Sequence, residues 1–199
     1  MTETKASRTR RRILDAAAHE LAVHGYGGAS LRRIAADAHL KVGSLAFHFP
    51  TKDDLVVAAL ADGVDSARSA LLDSLAAVPV GATPRERLRA AVDGHLAALH
   101  TSDDRAAAVI RMVETLPTNL RLTHADRERQ FARVWLDVLV RGQQDGSVRR
   151  DLNARVLRDI VIGALNSTST ANPSAHPDLA AVAETVVQLL EPDSGESGT

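Results

Sequence analysis

SLRRIAADAHLKVGSLAFHFPTKDDL, residues 30–55, carries most of the architectural information in this 199-residue chain. Leu31, Ile34 and Ala35 fall on one face of a short helix over Leu31–Ala38, with Ser30 placed to cap its start. A three-residue turn, His39–Lys41, separates it from a second short helix over Val42–His48, which Pro50 stops. Leu45 and Phe49, four apart, face the core, leaving Val42, Gly43, Ser44, Ala46, Phe47 and His48 outward. Two short helices joined by a tight turn, the second small and polar on its outer face, are the parts of a helix-turn-helix that reads a major groove. Gly43 and Ser44 let its backbone approach closely, while Arg32, Arg33, Lys41 and Lys52 flank the groove as phosphate contacts that fix register without carrying sequence information. With Ser30 at the helix start, these residues form the candidate DNA-binding set.

Outward from this stretch the chain keeps helical spacing almost throughout, and alternating β-branched runs are absent. The pattern predicts an all-α protein of about nine helices. A first helix over Ser7–His24 places Ile13, Leu14, Ala17 and Leu21 on one face and stops at Gly25. Thr51 with Asp54 at N3 opens a long fourth helix to about Ala77, and Thr83, Pro84 and Glu86 open a fifth. Ser102, Asp103 and Asp104 open a sixth, which Pro117 ends. A seventh carries Phe131, Val134, Trp135, Val138 and Leu139 and closes at Asp145–Gly146. The eighth, about Leu152–Thr170, is apolar on two sides through Val156, Leu157, Ile160, Val161, Ala164 and Leu165, and the ninth offers apolar positions from Leu179 to Leu190. An element apolar on two sides must be buried on both, so a partner subunit is the expected cover. The tail from residue 191 lacks apolar residues and is expected to be disordered.

Composition narrows the function. There are no cysteines, which excludes disulfides, thiolate metal sites and cysteine nucleophiles. The eight histidines contain no pair at i,i+3 or i,i+4, so no metal site is expected. The N-terminus has charge but no apolar run behind it, and no window approaches a membrane span; a cytoplasmic protein is expected. The net charge of −1 conceals an asymmetry: residues 1–52 hold nine Lys/Arg against four acids, and the other 147 hold fifteen against twenty-one. A basic head on an acidic body suits a protein that presents one end to phosphates. No G-x-S-x-G elbow, Walker loop or dinucleotide-binding glycine pattern is present, so no catalytic residue, enzyme activity or cofactor is expected, although small helical hydrolases do exist. A purely structural interaction module would explain the amphipathic helices but leave residues 30–55 a coincidence.

Ser30, Ile34, Ala35, Ala38, Gly43, Leu45, His48, Phe49 and Lys52 stand in the order and spacing of a known signature: Ser/Thr, x-x-x-I-A, an A-G-V-S turn, G-x-L-Y-x-H-F and a lysine three residues on. In these residues the chain resembles the TetR family of transcriptional regulators. The resemblance implies a basic first helix, a long fourth helix leading to a ligand domain, and usually repression. It departs at three positions: His39 replaces the turn glycine, Lys41 the usual cap of the recognition helix, and Ala46 the tyrosine. The C-terminal part more loosely resembles a subgroup that regulates fatty-acid and sterol catabolism, through Leu116–Pro117, Trp135, DGSVRRDL at 145–152 and GALN at 163–166. TANP stands here where that subgroup often has a Trp-Tyr-Arg-Pro tetrad. FHF at 47–49 also resembles γ-butyrolactone receptors. The subgroup resemblance implies an acyl-CoA or lipid-like effector.

The expected organisation is a helix-turn-helix domain over 1–52, a ligand-binding and dimerisation domain over 53–190, and the tail 191–199. Candidate effector residues are Arg111, Met112, Phe131, Trp135 and Asn166. Each also has a bland reading: Phe131, Trp135 and Met112 as core, and Arg111, Asn166 and His95 as internally paired polar groups, because burying them unpaired costs about 1–3 kcal/mol each. The expected partners are double-stranded operator DNA, a second copy of the chain through the eighth and ninth helices, and the effector, with no membrane. The fourth helix is the expected link between effector and half-site spacing, which should be about one helical turn, ~34–36 Å.

Overall fold

A computed structural model describes residues 4–100, 105–113, 116–170 and 178–192. The expected start of the sixth helix at Ser102–Asp104, the tail beyond 192 and the Arg111 side chain lie outside the described residues. Among these residues the chain forms nine helices and no strand: α1 Lys5–Gly28, α2 Leu31–Asp37, α3 Val42–His48, α4 Lys52–Ala76, α5 Pro84–His100, α6 Arg105–Val113, α7 Thr118–Asp145, α8 Ala154–Thr170 and α9 Leu179–Leu190.

Local chemistry sets the boundaries. Thr4 caps α1 by accepting from the Ser7 N–H at 3.1 Å. Gly25 breaks α1 with φ +62°, and helical backbone resumes beyond it to Gly28 rather than ending there. Both expected capping boxes form. Thr51 and Asp54 exchange bonds at 3.1 Å between each backbone N–H and the other's side-chain oxygen, and Glu86 accepts from the Thr83 N–H at 2.7 Å. Gly146, at φ +84°, follows the last residue of α7. Ser30 occupies the N-cap position of α2 but makes no side-chain cap bond.

Two compact units result. The first comprises residues 1–66 and 100–128, the second 67–99 and 129–199. In the first, α1 packs on α2 and α6 around Ile13, Leu14, Leu21, Ile34, Leu45 and Phe49, with Leu55 and Leu60 of α4. In the second, Leu88, Val92 and Leu96 of α5 meet Trp135 and Leu139 of α7, Leu157, Val161 and Leu165 of α8, and Val186, Val187 and Leu190 of α9. α8 is apolar on two sides, as expected, and among the described residues one of them stays open: Val156 and Ile160 remain 56% and 60% exposed.

Candidate functional site

In the first unit the reader has the geometry its sequence predicts. Ala38 and His39 close α2, with the Leu40 N–H donating to the Ala35 carbonyl at 2.8 Å. His39 takes the left-handed conformation, φ +52°, that the glycine it replaces would adopt more freely. Lys41 stands at the N-cap of α3 without a capping side-chain bond, and Pro50 follows the last turn. Leu45 is 0% exposed and anchors α3 in the core beside Phe49. Gly43, Ser44 and Ala46 are exposed with Val42, Phe47 reaches 86% exposure, and His48 stands edge-on to it with ring centroids 5.7 Å apart. A Cβ added at Gly43 would meet nothing within 4 Å, so no internal packing demands glycine there.

The cations divide into two groups. Arg32 and Lys41 are exposed and make no side-chain bond among the described residues. Arg33 is engaged internally: it bonds Glu20 through Nε at 2.7 Å and the Gly28 carbonyl through Nη2 at 2.7 Å. Lys52 gives Nζ to the Ala29 carbonyl at 2.8 Å and lies 4.9 Å over the Tyr26 ring. Arg12 donates to the Ala38 carbonyl, and Arg10 stacks 5.3 Å over Phe49. The phosphate role read for Arg33 and Lys52 therefore competes with bonds already made.

Glu20, which sequence reasoning passed over, organises this group. Its side chain is buried, and its Oε1 accepts from the Ser30 N–H at 2.9 Å as well as from Arg33. Burial alone would raise its carboxyl pKa; the bonds from Arg33 and the Ser30 N–H, with the charges of Arg33 and His24, outweigh it and hold the group below its ordinary value. The signal was an acid seven residues after Ile13, on the apolar face of the first helix. Tyr26 was also missed; its hydroxyl donates to Asp53 Oδ1 at 2.7 Å.

In the second unit, Trp135 is fully buried and gives its indole N–H to His95 Nδ1 at 3.1 Å. His95 Nε2 meets Asn166 Oδ1 at 3.0 Å, and Phe131 stands edge-on to His95 at 5.4 Å. Phe131, Trp135 and Asn166 thus converge on His95, which burial pushes down to about 4 against a smaller upward pull from Asn166. Met112 is 1% exposed, in the core of the first unit. A cleft of about 240 Å³ in the second unit runs between Leu72, Leu75, Val134 and Val138, with Arg87 and Arg141 also lining it; Phe131, Trp135 and Asn166 do not.

Among the described residues no group of three or more His, Asp or Glu could hold a metal ion, and no helix is long and apolar enough to cross a membrane.

Comparison with known proteins places this geometry. Residues 13–59 match the family described as bacterial regulatory proteins, tetR family, and residues 81–190 match the tetracyclin repressor-like C-terminal domain. The chain is 31% identical over 163 residues to the HTH-type transcriptional repressor KstR2 of Rhodococcus jostii (strain RHA1), covering 79% of this chain and 78% of that protein. It shares the fold of AibR, solved in complex with isovaleryl coenzyme A and operator DNA, with a TM-score of 0.76 at 22% identity over 92% of this chain and 97% of that one. It also shares the fold of FadR from Bacillus subtilis, solved in complex with stearoyl-CoA, with a TM-score of 0.75 at 21% identity over 90% and 96% of the two chains. From its helix-turn-helix to the end of its last helix, the chain belongs to the TetR family of bacterial regulatory proteins.

Proposed function

We propose that this regulator is a repressor that reads an inverted-repeat operator as a homodimer and releases it when an acyl-CoA-type ligand binds. The observation that carries the reading is α3, locked into the core by its Leu45 and by Phe49 just past its end while Val42, Gly43, Ser44, Ala46 and Phe47 point away from it. A short helix so anchored offers base-reading side chains on a fixed support, and Phe47 suits packing on a thymine methyl in place of the missing tyrosine. Residues 1–52 serve as the DNA-reading head and 53–190 as the effector and dimer part.

The free apolar face of α8, Val156 and Ile160, supports pairing with the same face of a second copy, with α9 completing a four-helix bundle. Phe131, Trp135 and Asn166 around His95 are the proposed effector region; Arg111 is a separate proposed effector residue, on sequence grounds alone. The relatives solved with isovaleryl coenzyme A and stearoyl-CoA support a thioester ligand for this chain. Such a ligand acts only through its different affinity for the two half-site spacings; about 3 kcal/mol changes occupancy by a factor of ~150. The protein works in the cytoplasm, by binding rather than catalysis.

Release is the test. On a duplex that the protein retains, isovaleryl-CoA or stearoyl-CoA should lower occupancy at concentrations where coenzyme A alone does not. Occupancy indifferent to an acyl-CoA series of every chain length would overturn the effector class.

A further inference from the structure

α2 is gripped at both ends by cations that reach backbone carbonyls. Before its start, Arg33 holds the Gly28 carbonyl at 2.7 Å and Lys52 holds the Ala29 carbonyl at 2.8 Å. After its end, Arg12 holds the Ala38 carbonyl. The three cations come from three helices: Arg12 from α1, Arg33 from α2 itself and Lys52 from the first residue of α4. Two of them are fixed by more than sequence proximity, since Arg12 lies 26 residues from Ala38 and Lys52 lies 23 from Ala29.

Further contacts lock the N-terminal side. Glu20 takes both the Arg33 guanidinium and the Ser30 N–H on one oxygen, so the backbone that begins α2 is tied to α1. Lys52 rests on the Tyr26 ring, and Tyr26 bonds Asp53, so the same connection is tied to the first turn of α4. For Arg33 to reach a phosphate it would first surrender charge-assisted bonds to a carboxylate, which are about twice as strong as neutral ones. A cation already neutralised by Glu20 also brings no net charge with which to displace a counterion condensed on the DNA.

We infer that Arg12, Arg33 and Lys52 are positioning residues that fix α2 against α1 and α4, and that phosphate contact falls to the unengaged cations, foremost Arg32 and Lys41. This rests on the operator-reading function proposed above. It separates residues that sequence alone groups together as one basic patch. It also means that a shift of the first turn of α4 pulls on the carbonyl at the entrance to α2, so the reader moves as a body.

The experiment compares single Gln variants of Arg12, Arg33 and Lys52 with those of Arg32 and Lys41, each measured by anisotropy on one retained duplex across a salt series. A lost phosphate contact lowers the slope of log K on log salt by ~0.9. Arg32→Gln and Lys41→Gln should each show that loss; the three clasp variants should weaken binding at every salt concentration with the slope unchanged. Hydrogen exchange without DNA supplies a second readout: amides over 31–38 should exchange faster in the clasp variants and not in the other two. On the wild-type protein, acetic anhydride should label Lys41 readily, less so once duplex is added, and label Lys52 poorly in either state. A slope reduced by ~0.9 in a clasp variant with α2 exchange unaltered, or Lys52 labelling as freely as Lys41, overturns the assignment. If the wild-type chain retained no duplex, the operator reading would fall, while exchange and free-chain labelling would still decide the clasp.

Discussion

Trp135 donates its indole N–H to Nδ1 of His95 at 3.1 Å, which leaves the ring proton on Nε2, facing the carboxamide oxygen of Asn166 at 3.0 Å. The imidazole is therefore neutral in the folded protein, with one tautomer selected by its two neighbours. Its folded pKa is about 4 against an ordinary 6.5, so the unfolded chain binds the extra proton between those values. Stability from this group is complete above about pH 6.5 and is lost as pH falls toward 4, by about 3 kcal/mol in all. Urea unfolding at pH 7.5, 5.5 and 4.5 should show a steeper loss in the wild type than in His95→Gln. His100 and His124, whose pKa values burial also lowers, titrate in both proteins and cancel in the difference. Parallel pH profiles would refute the assignment.

A Cβ at Gly94 would sit 2.7 Å from Ser74 Cβ and 3.1 Å from the Ala70 carbonyl oxygen and Leu71 Cα. Ser74 also bonds the Ala90 carbonyl at 2.7 Å, so α4 and α5 cannot separate there cheaply. In an open helix Gly→Ala gains up to ~1 kcal/mol; here Gly94→Ala should destabilise by about 1–3 kcal/mol through overpacking. A melting temperature at or above that of the wild type would show that the two helices give way.

The unpaired face of α8 has its own consequence. Ile160→Glu places a charge on an exposed position, so the single chain should keep its helical content and thermal transition. In sedimentation it should run as a monomer where the wild type runs as a dimer, and it should bind a complete inverted repeat no better than a single half-site. A dimer persisting in Ile160→Glu would move the interface elsewhere.

Ser44 and Phe47 bear on sequence and not on charge. Phe47→Ala and Ser44→Ala should change which permuted duplexes are preferred, by about 1–3 kcal/mol at the affected base pair, and leave the salt slope unchanged. Uniform weakening across all duplexes would mean that α3 merely supports other contacts.

Much of this was legible in the sequence because it is local. The capping boxes at Thr51–Asp54 and Thr83–Glu86 need partners three residues apart, and the buried pair Leu45 and Phe49 follows from one turn of helix. The left-handed His39 was predictable from the glycine it displaces. Periodicity names a buried face but not its neighbour: Met112, read as a candidate effector residue, is a member of the first core. Arg33 and Lys52 looked like phosphate contacts because Glu20 and Ala29, their partners, lie 13 and 23 residues away. His95 illustrates the same limit: its bonds span 40 and 71 residues, and only the fold brings Trp135 and Asn166 to it.

In the proposed function, two copies of α3 read an inverted repeat. Selection of bound duplexes from a random pool, with the enriched sites measured at two salt concentrations, tests it most directly. An enriched inverted repeat with half-site centres about one turn apart and a salt slope of several units is the expected result. A pool that stays random, or an enriched site without dyad symmetry, would contradict it.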